Sequence, residues 1–153
     1  MEQNIAVLGL GNPLMRDEGI GTKIIELLSG YQEKYPHVEF IDAGTGGMSV
    51  LHLISGRDKA VIIDCAKMQA EPGTLRRFEP EDVQSVKKLS HHSLHEMDIL
   101  KVIDIAAQTH QRPESVVFFG IEPEVIELGD HLSDTLLAKM DEYIKTILEE
   151  LKA

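Results

Sequence analysis

The chain has 153 residues, of which 42% are hydrophobic and 27% are charged. That length and balance are typical of one globular domain with a substantial apolar core, so we expect a single domain over residues 1–153. The 26 acidic residues outnumber the 15 Lys and Arg residues, and the formal net charge of -11 disfavours nucleic acid as a partner. The apolar runs are too short to span a bilayer, and the single cysteine, Cys65, cannot form an internal disulfide. These features predict a cytoplasmic protein without membrane insertion.

Apolar strands alternate with amphipathic helices along the chain. Residues 5–10 form a continuous apolar run, typical of a strand buried on both faces, and a helix with Asp17 and Glu18 in its first turn follows. Further strands are predicted at residues 38–41, 60–63, 74–78 and 115–119. Further helices are predicted at residues 48–54 and 94–108 and as one segment after a capping Ser133, with residues 79–88 a solvated helix or loop. This order predicts an α/β fold, a three-layer α/β/α domain with a mostly parallel or mixed central sheet of about five strands.

Acidic residues follow three of the predicted strands. Asp17 and Glu18 come after the first, Asp42 follows the second, and Asp64 ends the third. The carboxyl ends of parallel strands meet at one edge of a sheet, which is where α/β proteins bind ligands. We therefore expect these carboxylates to converge although they are far apart in the sequence.

Three histidines lie close together at the start of the helix predicted at residues 94–108. His91 and His95 are four residues apart and His92 and His95 are three apart, so either pair can share a helix face. Carboxylates together with imidazole suit borderline divalent ions such as zinc and nickel. The spacing leaves open which histidine binds a metal, and a solvated surface cluster is the alternative.

Two other motifs are better explained by packing. The run Gly9-Leu10-Gly11 begins like a dinucleotide-binding loop, but Leu14 stands at the third glycine position and Pro13 removes a backbone donor. The acidic helix start also repels pyrophosphate. Cys65 follows a buried strand and is expected to be a small core residue, not a nucleophile.

Six motifs, in order along the chain, resemble those of the nickel–iron hydrogenase maturation endopeptidases. This family trims the C-terminal extension from the precursor of a hydrogenase large subunit. The motifs are GLGNPLMRDEGIG at residues 9–21, DAGTGG at 42–47, IIDCA at 62–66, PGT at 72–74, SHHSL at 90–94 and FGIEP at 119–123. The resemblance extends over nearly the whole chain.

The resemblance implies a function and a set of site residues. The family's metal-contacting positions fall on Glu18, Asp64 and His92, because the family's histidine lies two positions after the serine, while His91 could compete for the same ion. Asp42 matches an aspartate associated with recognition or cleavage. The implied protein is a metal-dependent endopeptidase that recognises nickel carried by the hydrogenase precursor, and zinc or cadmium can occupy the same site. The alternative is a metal-binding chaperone or checkpoint protein that holds the precursor without cutting it.

Overall fold

The computed structural model of the chain describes residues 3–80, 82 and 94–152. Within that part of the chain five strands form one sheet. They are β1 (Ile5–Leu10), β2 (Val38–Gly44), β3 (Lys59–Cys65), β4 (Leu75–Phe78) and β5 (Ser115–Ile121). The spatial order is β2-β1-β3-β5-β4, with β4 antiparallel to β5 and all the other pairs parallel. The predicted α/β fold with a mixed sheet is confirmed.

Helices cover both faces of this sheet. The α-helices are α1 (Ile20–Leu28), α2 (Ser49–Ile54), α3 (Leu94–Gln108), α4 (Asp134–Ala138) and α5 (Met140–Lys152). Short 3-10 helices precede and follow α1, at Arg16–Gly19 and Ser29–Lys34. One apolar core joins α1, α4 and α5 to the sheet, and a second joins α2 and α3 to its other face. The central strands β1 and β3 are buried along their whole length, as their continuous apolar sequence predicts.

The C-terminal segment is two helices and not the single one predicted. Ser133 caps α4 as expected, with its side-chain oxygen accepting a hydrogen bond from the Leu136 N–H at 3.4 Å. The helical backbone is interrupted at Lys139, and α5 then continues to Lys152. Of the helix or loop predicted at residues 79–88, only residues 79, 80 and 82 lie within the described part of the chain. None of the described helices has the length and apolar character needed to cross a bilayer.

Helix α1 lies directly on the backbone of the sheet. A Cβ atom added at Gly21 would collide with the Leu10 carbonyl oxygen and would lie 2.6 Å from that of Ile63. A Cβ atom at Gly9 would in turn collide with the Gly21 carbonyl. Only glycine permits this approach, and it brings the segment before α1 close to the end of β3.

An ion-pair network ties α5 to the opposite, amino edge of the sheet. Lys59, the first residue of β3, donates to Glu150 Oε2 at 2.6 Å and to the Glu150 carbonyl oxygen at 3.1 Å. Arg77 Nε donates to Glu150 Oε1 at 2.7 Å. Burial raises the pKa of Glu150, but the hydrogen bonds from Arg77 and Lys59 outweigh it and leave the pKa below its ordinary value.

This network predicts an acid-sensitive contribution to stability. Because the folded-state pKa of Glu150 is lowered, its contribution is complete above the ordinary pKa of 4.5 and is lost as the pH falls through the folded value. We expect Glu150→Gln to lower the free energy of unfolding by about 2–4 kcal/mol at pH 7, because it leaves Lys59 buried without its counterion. Urea unfolding at pH 7 and at acid pH measures the gap to wild type, which should narrow under acid. Exposed Glu149→Gln is the control, and a gap independent of pH would contradict the assignment.

Candidate functional site

The parallel register brings the acidic strand ends to one edge of the sheet. Asp42 of β2 and Ile63 of β3 both lie opposite Gly9 of β1, and Asp64 is one residue further along β3. Strands in a sheet are separated by roughly 4.8 Å, so the backbones of Asp42 and Ile63 are about 10 Å apart. Asp42 and Asp64 therefore lie at the same edge of the sheet, as predicted, but β1 lies between their two strands.

These two aspartates project from opposite faces of the sheet. Asp42 Oδ1 accepts hydrogen bonds from Thr22 Oγ1 of α1 at 3.4 Å and from the Gly44 N–H at 3.0 Å. Asp64 alternates with Ile63 and Cys65, which belong to the core under α1, so it faces the side covered by α2 and α3. Asp42 is exposed, whereas Asp64 is only 7% exposed and its Oδ1 accepts the Cys65 N–H at 2.8 Å.

Glu18 lies in the 3-10 helix at Arg16–Gly19 and not in the first turn of α1, which begins at Ile20. The segment is held tightly, since a Cβ atom on Gly11 would collide with the Glu18 carbonyl oxygen. The Glu18 side chain is half-buried, and the segment packs against the end of β3.

The thiol of Cys65 is buried at the end of β3, and nearby carboxylates affect its pKa. Burial is the largest cause that raises the pKa of Cys65, and the negative charges of Asp64, Glu18, Asp17 and Glu122 raise it further. The thiol is thus protonated at neutral pH and 4% exposed. The prediction that Cys65 is a core residue is confirmed.

None of the three predicted histidines has a described side chain. His91 and His92 lie outside the described residues, and His95 belongs to the part of α3 whose side chains are not described. Helix α3 ends shortly before β5, which starts at the amino edge, so α3 begins towards the carboxyl edge on the face of Asp64. The described side chains are those of residues 3–80, 82 and 101–152. Among them, no three His, Cys, Asp or Glu residues form a group that could hold a metal ion.

Asp17, which the sequence pattern grouped with the carboxylates of the sheet edge, is instead a buried anchor. Its side chain is 0% exposed and accepts four hydrogen bonds. The donors are the Glu124 N–H at 2.9 Å, the Val125 N–H at 2.9 Å, the Ser133 N–H at 2.7 Å and the Ser133 hydroxyl at 2.8 Å. Burial raises the pKa of Asp17, but the hydrogen bonds, led by that of the Ser133 N–H, lower it below its ordinary value. The carboxylate beside Glu18 is therefore structural.

Asp17 and Arg16 together hold residues 122–133, which we call the anchored loop. Arg16 Nε donates to the His131 carbonyl oxygen at 3.1 Å, and Arg16 Nη1 pairs with Glu127 Oε1 at 3.2 Å. Three backbone hydrogen bonds, 2.8–3.1 Å long, join Leu14, Arg16 and Asp17 to the loop. The loop is thus fastened to the chain segment that carries Glu18.

A second buried carboxylate fastens the loop that follows β3. Glu122 is 8% exposed, and its Oε1 accepts the Met68 N–H at 2.6 Å and the Ala70 N–H at 3.2 Å. In the sequence Glu122 is only the variable residue of a Gly-Ile-x-Pro motif, and nothing in that pattern indicates burial. For Asp17, the one available signal was the acidic pair that it forms with Glu18.

The glycine loop after β1 uses its backbone donors internally. The Gly11 N–H donates to the Gly44 carbonyl oxygen at 2.7 Å, and the Leu14 N–H donates to Asn12 Oδ1 at 3.0 Å. The loop is a tight turn between a strand and a helix whose donors are occupied by the protein's own groups.

Comparison with known proteins identifies the family of the chain. The HycI family model, described as hydrogenase maturation protease, matches residues 22–150. The chain belongs to the hydrogenase maturation protease family. The resemblance inferred from the six motifs is therefore confirmed.

Individual members of the family are similar along most of their length. The chain is 32% identical over 151 residues to the hydrogenase 2 maturation protease of Escherichia coli, covering 97% of this chain and 90% of that one. It is 32% identical over 142 residues to the hydrogenase expression/formation protein HoxM of Cupriavidus necator, covering 92% of this chain and 70% of that protein. The solved structure of the hydrogenase maturating endopeptidase HybD from E. coli superposes with a TM-score of 0.85 at 30% identity, covering 99% of this chain and 93% of that one.

The anchoring by Asp17 predicts a specific loss of stability. In Asp17→Asn the amide oxygen can accept on one side only, and the amide NH₂ then faces donors of the anchored loop. We expect the free energy of unfolding to fall by about 2–4 kcal/mol, because hydrogen bonds to a buried charge are lost and donors are left unsatisfied. Urea unfolding measures the loss, and hydrogen exchange should show faster exchange at Val125 and Ser133. Tyr143→Phe, which removes a buried hydrogen bond to the Gly73 carbonyl oxygen at 2.7 Å, is the control that should leave those two amides protected.

Proposed function

We propose that this family member is an endopeptidase that removes the C-terminal extension of a nickel–iron hydrogenase large-subunit precursor after nickel insertion. Glu18, Asp64 and His92 would contact the nickel that the precursor carries. The observation that supports this most directly is geometric: Asp64 lies at the carboxyl end of β3, and the 3-10 helix that carries Glu18 packs against that strand. Family membership makes a precursor of a hydrogenase the substrate of choice.

The donor set suits a divalent ion that belongs to the substrate. Two carboxylates offset the double positive charge, and an imidazole adds a nitrogen ligand that nickel, zinc and cadmium accept. Asp64 is buried and held by the Cys65 N–H, so one carboxylate is fixed in advance, whereas half-buried Glu18 can reach an incoming ion. In this proposal the nickel reports that insertion is complete and positions the precursor's tail for cutting.

Asp42 has a different role in this proposal. It is exposed, it lies on the α1 face of the sheet, and its Oδ1 is bonded to Thr22 and to the Gly44 N–H. We assign Asp42 to binding or cleavage of the precursor's tail and not to nickel. Cleavage adds water across the scissile amide, so that the carbonyl carbon gains the hydroxyl and the departing amine takes up the proton.

Nickel recognition predicts a difference between two forms of one substrate. Purified protein mixed with nickel-loaded precursor from the same organism should release a C-terminal peptide, and the nickel-free precursor should remain intact. Mass spectrometry of the precursor measures the loss. Cleavage of both forms would leave an endopeptidase and discard the nickel check. Binding of the loaded precursor without cleavage would favour the checkpoint protein.

The site assignment predicts the effect of two substitutions. Glu18→Gln and His92→Ala should abolish cleavage of the nickel-loaded precursor, a loss of at least about 100-fold for a ligand that positions the reacting group, while circular dichroism stays that of wild type. Exposed Glu33→Gln and His52→Ala are matched controls that should keep wild-type rates. Normal processing by both site variants would refute the assignment.

A further inference from the structure

We propose that the anchored loop, together with Leu14, forms a docking surface for the folded precursor, through an apolar patch that is bordered by acidic side chains. The inference rests on the proposed function for the identity of the partner. It concerns binding outside the nickel-contacting residues, on a surface made by residues 14 and 122–133. The complementary surface on the precursor would be an apolar patch bordered by Lys and Arg.

Two leucines are exposed side by side on this surface. Leu128 is 83% exposed and Leu14 is 61% exposed. The Gly129 N–H donates to the Leu14 carbonyl oxygen at 2.8 Å, so the two residues lie on adjacent backbone segments. Large apolar side chains grouped on a surface are characteristic of sites that bind another protein.

The surface is rigid before any partner arrives. The anchored loop forms neither helix nor strand between β5 and α4, yet Asp17 contributes four hydrogen bonds to it, and Arg16 binds it through both its backbone and its side chain. The loop therefore holds Leu128 in solvent in an ordered position. Because the loop is already ordered, docking loses little conformational entropy.

The charges around the leucines select a basic partner. Exposed carboxylates flank Leu128 in the sequence at Glu127 and Asp130, and Glu124 and Asp134 add two more exposed carboxylates in and just after the loop. Arg16 pairs with Glu127, but the Arg16 side chain is only 17% exposed, so the surface keeps a negative excess. A second copy of this chain, with a net charge of -11, would be repelled, whereas Lys and Arg around an apolar patch would be attracted.

The location suits a protein whose tail must reach the sheet edge. Leu14 lies four residues before Glu18 on the same connected segment. Beside it, a pocket of about 330 Å³ is lined by Pro13, Arg16, Leu132 and Leu137, among others. A precursor docked on Leu14 and Leu128 would therefore contact the same segment of chain that carries Glu18.

The decisive variant is Leu128→Lys. The lysine introduces a charge into the apolar contact and repels the Lys and Arg side chains that the proposal places on the precursor. We expect the Kd for nickel-loaded precursor, measured by calorimetry, and the KM for cleavage to rise at least about tenfold, with kcat within about twofold of wild type. Leu27→Lys, at a leucine that is 39% exposed on α1, is the matched control and should change neither constant. An unchanged Kd and KM for Leu128→Lys would overturn the proposal.

Salt dependence separates the charge argument from the apolar one. Wild-type affinity should weaken as salt rises, and Asp130→Asn, at a side chain that is 90% exposed, should reduce that slope. A slope unchanged by Asp130→Asn would overturn the basic border. If sedimentation shows that the wild type is a dimer and that Leu128→Lys is a monomer, the docking surface binds a second copy of the chain and the proposal is wrong. If wild type binds the precursor without cutting it, the proposed endopeptidase fails, and Kd alone decides the docking surface.

Discussion

The contact between Gly21 and the backbone of β1 and β3 is the constraint on which the rest of the site depends. A side chain at position 21 would meet the Leu10 and Ile63 carbonyl oxygens and lift α1 from the sheet. With glycine there, the 3-10 helix before α1, which carries Glu18, packs against β3, the strand that ends with Asp64 and Cys65. The position of the Glu18 segment beside β3 is thus a consequence of backbone packing and not of attraction between the carboxylates, since like charges repel.

Much of the fold could be predicted from local pattern. The bounds of β1 and of the helix Leu94–Gln108 agree with the sequence prediction, because a doubly buried strand is a continuous apolar run and an amphipathic helix repeats every three or four residues. Strands β2 and β3 extend past their apolar runs to include Asp42 and Asp64, because pairing with a neighbouring strand continues through polar residues. The antiparallel direction of β4 depends on its pairing with β5, which no local pattern contains.

The candidate site, like the fold, could be predicted only where the signal is local in the sequence. Glu18 and Asp64 could be nominated from their positions after strands and from the family resemblance. The anchoring roles of Asp17 and Glu122 could not be predicted, because their partners are distant: Asp17 binds Ser133 across 116 positions and Glu122 binds Met68 across 54. Carboxylates adjacent in the sequence therefore took opposite roles, with Asp17 buried to hold a loop and Glu18 left half-exposed at the edge. Burial, which a single sequence does not reveal, decides between them.

The protonated state of Cys65 has a consequence for redox chemistry. Thiol reagents and oxidants attack the thiolate, and in the folded protein both burial and the nearby carboxylates suppress that form. Because the chain has one cysteine, alkylation by a thiol reagent reports on a single place, the end of β3. The rate at which Cys65 is alkylated then measures how often the end of β3 opens to solvent, and no label has to be introduced.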